Sequence, residues 1–298
     1  MNGILLVDKP QGMTSHDVVD ALRKASRIRR IGHTGTLDPR ATGLLILCIG
    51  QATRLSQFFS DLDKAYEGVM RLGVETSSHD LDGEVRAENP VPETLTREAI
   101  GAVCGEFVGD IKQIPPMVSA IKIGGRRLYK IARDGGEIER PARPVTIHCF
   151  DVTCWNPPDA GIRVACSSGA YVRTLCHDVG RQIGCGAALA QLRRMRVGRY
   201  SVENAAPLDA FAVPEDVSAR LIPMDDALDM PEARVDAARA AIVRSGGAVS
   251  TNALPAPCPV TTGLVQIKDS AGKLIAIAQA QPTAMGARLQ PKRVFGGK

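Results

Sequence analysis

Short apolar runs alternate with breaker-rich turns along most of this chain, and their period shifts between two and about 3.6 residues. Ile4-Leu5-Leu6-Val7 reads as a short strand ended by the turn Asp8-Lys9-Pro10-Gln11-Gly12. Thr14 or Ser15 then caps a helix that turns Val18, Val19 and Leu22 inward. The run at 44–49 predicts a strand, and Leu55, Phe58, Phe59 and Leu62 are spaced for one helical face. Residues 66–74 alternate as a strand with Tyr66, Gly68, Met70 and Leu72 on one side, and Asp82-Gly83 supplies a hairpin turn. Thr96 can cap a helix carrying Ile100, Val103, Cys104 and Phe107. Strands at 145–152 and 162–166, the bend Ser167-Ser168-Gly169-Ala170 and a helix with Val172, Leu175, Cys176, Val179 and Ile183 on its apolar stripe follow. Leu192 reads as an ordinary core residue of a helix.

From about Ala233 the texture changes. A short Ala-rich helix precedes Gly246-Gly247, and β-like runs at 264–267 and 274–278 flank the turn Asp269-Ser270-Ala271-Gly272. The pattern predicts a large domain over 1–230 and a small β-rich domain over 231–298. There is no internal repeat.

Composition narrows the class. With 298 residues, 44% hydrophobic and 23% charged, the chain can bury a sizeable core and fold as a globular protein. No apolar stretch approaches the roughly 20 residues of a membrane span. Met1-Asn2-Gly3-Ile4 lacks the basic and apolar regions of a signal peptide, so a cytoplasmic protein is expected. The eight cysteines form no C-x-x-C pair and no Cys/His cluster with zinc spacing, so no metal site is indicated. Cys48, Cys104, Cys166 and Cys176 fall in apolar runs, where cysteine serves as a small hydrophobe.

Charge adds a direction. Residues 112–143 hold eight Lys or Arg against the acids Asp134, Glu137 and Glu139, a surplus equal to the net +5 of the whole chain. This stretch mixes Pro, Gly and charge and reads as a long surface excursion over about 112–144. Shorter basic patches lie at Arg23-Lys24-x-x-Arg27-x-Arg29-Arg30 and Arg193-Arg194-x-Arg196-x-x-Arg199. Such clusters are the footprint of a phosphate backbone, although solvated faces produce similar runs.

The strongest chemical signal is Gly32-His33-Thr34-Gly35-Thr36-Leu37-Asp38-Pro39. Pro39 has a fixed φ and biases Asp38 away from the α region, so the carboxylate sits on a bend. The glycines allow close backbone approach, and His33, Thr34 and Thr36 bring hydrogen-bonding groups to the same bend. On residue type alone, an Asx turn is the commoner role for such an aspartate.

Five segments together decide otherwise: Asp8-Lys9-Pro10-Gln11-Gly12; the Asp38 bend continued through Ala41-Thr42-Gly43; Pro115-Pro116-x-x-Ser119-Ala120-x-Lys122; Gly169-x-Tyr171-x-Arg173; and Leu192-Arg193-Arg194. They resemble the bacterial tRNA pseudouridine synthase B family, whose members isomerise the T-loop uridine at tRNA position 55. The resemblance runs nearly end to end. It implies Asp38 as the group that acts covalently on base or sugar, Arg173 as its ion-pair partner, and Tyr66 as the residue that stacks on the target base and handles a proton at C5. It further implies that Tyr171 and Leu192 shape the pocket around a flipped base and that His33 enters the space vacated in the T loop. The basic excursion becomes a thumb that closes on the T arm, with Lys122, Arg126, Arg127, Lys130 and Arg133 as backbone contacts. The implied fold is mixed α/β (α+β) around a mainly antiparallel sheet, with a PUA-like RNA-binding domain at the C-terminus. The isomerisation changes no oxidation state, so neither metal nor cofactor is expected. The expected partner is tRNA, met by a monomer with no obligatory protein partner and no membrane.

Two motifs point elsewhere and fail. Asp80-Leu81-Asp82-Gly83-Glu84 lacks the strand of a phosphatase motif and the further ligands of an EF-hand loop, so it reads as a turn beside the site. Ser167-Ser168-Gly169 lacks the G-x-S-x-G frame of a serine hydrolase. The rival readings are a guide-RNA-dependent pseudouridine synthase, against which the long excursion argues, and a tRNA-binding or tRNA-folding protein with secondary catalysis.

Overall fold

The computed structural model describes residues 1–119, 122–123, 125–128, 131, 136, 138–256, 258 and 260–296. Its centre is a long mixed sheet. In chain order the elements that build the site are β1 (Gly3–Lys9), α1 (Ser15–Ser26), β2 (Ile31–His33), β3 (Thr42–Ile49), α2 (Ser56–Ser60), β4 (Lys64–Leu72), β5 (Val74–Thr76), β6 (Val85–Glu88), α3 (Arg97–Gly105), β7 (Gly109–Gln113), β8 (Lys122–Ile123), β9 (Arg126–Arg127), β10 (Arg143–Asn156), β11 (Asp159–Cys166), α4 (Val172–Ile183) and β12 (Ala187–Val197). The sheet runs β1-β3-β12-β4-β11-β10-β7, with β2 beside β3. These pairs are antiparallel except for a short parallel seam, where Arg193 faces Thr42 and Arg194 faces Gly43.

The seam needs Gly43. At φ 98° a Cβ there would lie 2.4 Å from the Arg194 carbonyl oxygen, so only glycine lets β12 cross β3 this closely. β3 itself is buried on both faces. Leu44, Ile46 and Cys48 join one core with Phe58 and Phe59, while Leu45, Leu47 and Ile49 join another with Val18, Val19 and Leu22 of α1. That explains why it reads as an unbroken apolar run. A third core, including Met70, Ile162, Leu175 and Val179, packs α3 and α4 against the other half of the sheet.

The mixed α/β, mainly antiparallel expectation is met. Thr14 is the α1 cap, in a capping box with Asp17. Helix α3 starts at Thr96 but ends before Phe107, which packs against the core from the following turn. Leu192 is not helical. It lies on β12, whose Ala, Leu, Gln, Arg and Met residues favour helix in isolation, but pairing with β4 on one side and β3 on the other overrides that preference.

The excursion leaves and re-enters the sheet at one place, because Arg143 pairs with Gln113 and Pro144 with Lys112. It does not lie wholly on the surface: Pro115, Pro116, Ser119 and Leu128 are buried. Within it Lys122 pairs with Arg127 and Ile123 with Arg126 in a short hairpin. Lys130 and Arg133 lie outside the described residues.

The β-rich texture after Ala233 folds as a second sheet, built from Glu232–Arg234, Gly263–Lys268, Leu274–Thr283, Gly286–Val294 and Val249–Ser250, with the helix Ala237–Arg244 against it. Leu274, Ile277 and Phe295 reach across to Leu55, Phe59 and Met224, so this sheet shares a core with the larger one.

Candidate active site

The Asp38 bend is held from behind by groups remote in sequence. Ser15 Oγ accepts from the Leu37 N–H at 2.8 Å and donates to the Leu37 carbonyl at 3.0 Å. Lys9 is fully buried, and its ammonium donates to the carbonyls of Pro10 at 2.9 Å, Met13 at 2.6 Å and Pro39 at 3.2 Å. Gly12 N–H adds a 2.8 Å bond to the same Pro39 carbonyl, so the Asp8–Gly12 turn cradles the bend. Arg194, also buried, reaches from β12 to the carbonyls of Leu44 at 2.7 Å and Gly35 at 3.1 Å. Every tie goes to the backbone. The carboxylate itself is left facing the cleft, with 44% of the side chain exposed.

A buried cation faces that carboxylate closely. Arg173, in the first turn of α4 and 6% exposed, lies 3.4 Å from Asp38 Oδ2 through Nη2 and 2.9 Å from Asp80 Oδ2 through Nη1. Its Nη2 also donates to the Val118 carbonyl of the excursion at 2.7 Å. One guanidinium thus joins the Asp38 bend, the Asp80 loop and the excursion, as its rigid fork of donors permits.

Electrostatics distinguish these groups. Desolvation pushes the Asp38 carboxyl above its ordinary value, Arg173 opposes this, and Asp80 and Asp82 add to the rise. Water in the open cleft limits that desolvation, and a base seated over the carboxylate would complete it. Burial lowers Lys9 to about 8 and also lowers His33. Burial raises Tyr66, against the pull of the Arg194 cation.

The other expected residues surround this centre at different depths. His33, at the end of β2, lines the cleft, and its Nδ1 is buried without a hydrogen bond. Tyr66 lies deeper. It faces Arg194 across the β4–β12 ladder, and two pairs further along Leu192 faces Gly68. A Cβ on Gly68 would lie 2.6 Å from the Gln191 carbonyl oxygen, so glycine is required for β12 to pass. Tyr171 exchanges two backbone bonds with the Gln113 amide, at 2.7 and 3.1 Å, and its ring centroid lies 6.0 Å from the Arg173 guanidinium carbon. The backbones of Lys122, Arg126 and Arg127 form the hairpin of the excursion.

The Arg193–Arg199 patch is open only in part, with Arg196 and Arg199 exposed. Arg193 chelates Asp8 at 2.7 and 3.0 Å, Arg194 is buried, and Arg199 donates to the Asp226 carbonyl. Two site residues escaped sequence reasoning. In sequence Asp80 reads only as part of a neighbouring turn, and its D-x-D-G setting does not show which way the acid faces. Lys9 was legible only as part of a turn, although a lysine directly after an apolar strand invites the question of where its charge goes.

The cleft over Asp38 has a volume of about 1660 Å³, with Asp38, His33, Asp80, His177, Arg140 and Arg173 among its lining residues. Small-molecule pockets span about 300–1,000 Å³, so this one has room for a length of polymer. Among the described residues no three His, Cys, Asp or Glu side chains are arranged to hold a metal ion.

Comparison with known proteins is decisive about kinship. The model of the TruB family pseudouridylate synthase N-terminal domain matches residues 23–172, and that of the tRNA pseudouridylate synthase B C-terminal domain matches 173–229. This chain belongs to the TruB family. Among TruB relatives, tRNA pseudouridine synthase B of Opitutus terrae is 50% identical over 226 residues, covering 75% of this chain and 93% of that protein. The protein of the same name from Aromatoleum aromaticum is 41% identical over 297 residues, 99% of this chain and 92% of the other. Among solved structures, a Cbf5-Nop10-Gar1 complex aligns with 99% of this chain and 85% of its own at a TM-score of 0.76 and 26% identity. The likeness therefore extends through the C-terminal sheet, beyond the residues that the family models match.

Proposed function

We propose that this chain isomerises uridine to pseudouridine at position 55 in the T loop of tRNA, with Asp38 as nucleophile. The observation that carries the reading is a half-exposed carboxylate on a backbone fixed from behind, facing a buried arginine. A nucleophile needs charge, fixed direction and an open approach, and Asp38 combines all three. The uridine leaves its stack and enters the cleft, at an unstacking cost of a few kcal/mol that contacts there must offset. Asp38 bonds covalently to the base or its sugar, the N1–C1′ bond breaks, the base turns, C5 bonds to C1′, and the bond to Asp38 breaks to return the carboxylate. C5 loses a proton and N1 gains one, so atoms and oxidation state balance without a cofactor. Tyr66, kept protonated by burial, packs against the base and handles the C5 proton, while Leu192 and Tyr171 bound the pocket. His33 fills the space the base leaves.

The enzyme works as a cytoplasmic monomer without a protein partner. Its thumb, including Lys122, Arg126, Arg127 and Lys130, grips the T-arm backbone, and a PUA-like domain over 231–298 meets the acceptor side. The family name carried by relatives at 41–50% identity and the basic excursion both favour this stand-alone reading over a guide-dependent one. Purified protein alone should release tritium from a T-arm transcript labelled at uridine C5. Silence from the wild type sinks the proposal in favour of a partnered or RNA-folding protein, and undiminished release by Asp38→Asn sinks the nucleophile.

A further inference from the structure

Beside the Arg173 ion pairs lies a contact that this chemistry does not use. The rings of His79 and His177 stack with centroids 4.0 Å apart and planes 4° from parallel. His79 directly precedes Asp80, and His177 follows Arg173 by one turn of α4. Residues four apart share a helix face, so the Asp80–Arg173 pair and the His79–His177 stack are adjacent ties between one loop and one helix. Among the described residues, the loop's other bonds run within itself, to Leu189 on β12, and from Asp82 to Arg40.

His79 takes a φ of 65°, a left-handed conformation costly for a residue with a Cβ. Strain of this kind persists where the surroundings over-determine it. Here the conformation brings the imidazole onto α4 while the next residue meets Arg173. Among the described residues neither ring makes a hydrogen bond, and both Nδ1 atoms are buried without a partner. Stacking is what locates them. Burial, His177, Arg173 and Arg140 together lower His79 to about 4, with Asp80 opposing, so the ring stacks in its neutral form at physiological pH.

We propose that the His79–His177 stack is a positioning device that locks the Asp80 loop onto α4 and so holds Arg173 in the orientation that serves Asp38. It rests on the isomerisation reading above, and it makes the two histidines act through Asp80, not on the RNA.

The test is single-turnover tritium release from a T-arm RNA at saturating enzyme, with RNA Kd measured in parallel. His177→Ala should slow release about tenfold, as expected for a displaced catalytic group, and leave Kd within about twofold. His177→Phe, which restores an aromatic face, should stay within about twofold of wild type. In an Asp80→Asn background His177→Ala should add nothing, because both changes act on the same link. Amide exchange over 77–83 should quicken in His177→Ala and not in His177→Phe, a readout independent of activity. A wild-type rate and exchange pattern in His177→Ala, weakened RNA binding as its sole effect, or rate losses that multiply with Asp80→Asn would each overturn the proposal. Exchange that behaves as expected in a wild type releasing no tritium would instead fail the isomerisation reading and leave the locking of the loop standing.

Discussion

Two aspartate loops meet on Arg173, and they are built in opposite ways. The Asp38 loop is fastened through its backbone to Ser15, Lys9, Gly12 and Arg194, and its carboxylate keeps an open face and one cation at 3.4 Å. The Asp80 loop, tied by backbone bonds to Leu189, is fastened through its carboxylate as well. Only 15% of that side chain is exposed, Ser78 Oγ donates to one oxygen, and Arg173 holds the other at 2.9 Å. Two residues of one type thus receive two roles from their surroundings. The acid whose lone pairs are consumed supports, and the acid whose backbone is consumed remains available to react.

Removing the shared cation should break both halves of that contrast at once. Arg173→Gln leaves the Asp80 carboxylate unpaired and Asp38 without its closest cation, and a loss of about 10²–10³-fold in single-turnover tritium release is expected, as when a preorganised charge partner is removed. A change below tenfold would show that the two loops do not depend on it. Asp80→Asn tests the supporting role alone. Release should fall by about 10²-fold with RNA affinity unchanged, since a reacting group displaced by even 1 Å costs that much. Retained rate with weakened binding would recast Asp80 as an RNA contact.

Lys9→Met tests the backbone fastening. It removes a donor from three carbonyls, of which Pro39's keeps the Gly12 N–H, while relieving a desolvated ammonium, and a net loss of about 2 kcal/mol in unfolding free energy is expected by urea melts at pH 7. The pH dependence should change as well. Lys9 titrates near 8 when folded and at its ordinary 10.5 when unfolded, so between these values the unfolded chain binds the extra proton and wild-type stability gains with rising pH. The variant should lack that share of the rise; parallel curves would place the Lys9 charge elsewhere. Lys9 also helps to keep Asp38 ionised, so the acid limb of the variant's pH–rate profile should move upward.

The smallest expected effect lies away from both loops. Replacing Arg126, Arg127 and Lys130 with Ala should flatten the salt dependence of tRNA binding by about one logarithmic unit for each phosphate no longer neutralised, leaving the rate at saturation unchanged. A rate that falls at saturation would join the hairpin to the chemistry.

The Asp38 loop was legible in sequence because its features are local: a proline after the acid, glycines around it, and a long apolar strand behind it. The Asp80 loop was not, because a D-x-D-G turn looks alike whether its acid faces water or an arginine more than ninety positions later. Leu192 failed for a related reason. Its segment has helix-forming composition, and only two strands distant in sequence make it a strand. In the Arg193–Arg199 patch the four arginines look alike in sequence, and only the structure shows that Asp8 and the carbonyls of Leu44 and Gly35 take up Arg193 and Arg194 while Arg196 and Arg199 stay exposed.

Sequence by itself determined the apolar periodicities, the caps, the bend at Asp38, the placement of excess charge and, through its motifs, the family. These depend on neighbours within a few residues or on residue identity alone. Tertiary structure decided which carboxylate is consumed and which stays open, which arginines are internal struts, and which loop is locked to α4. Those outcomes turn on distances of about 3 Å between groups tens to more than a hundred residues apart, and only the assembled sheet and its helices set such distances.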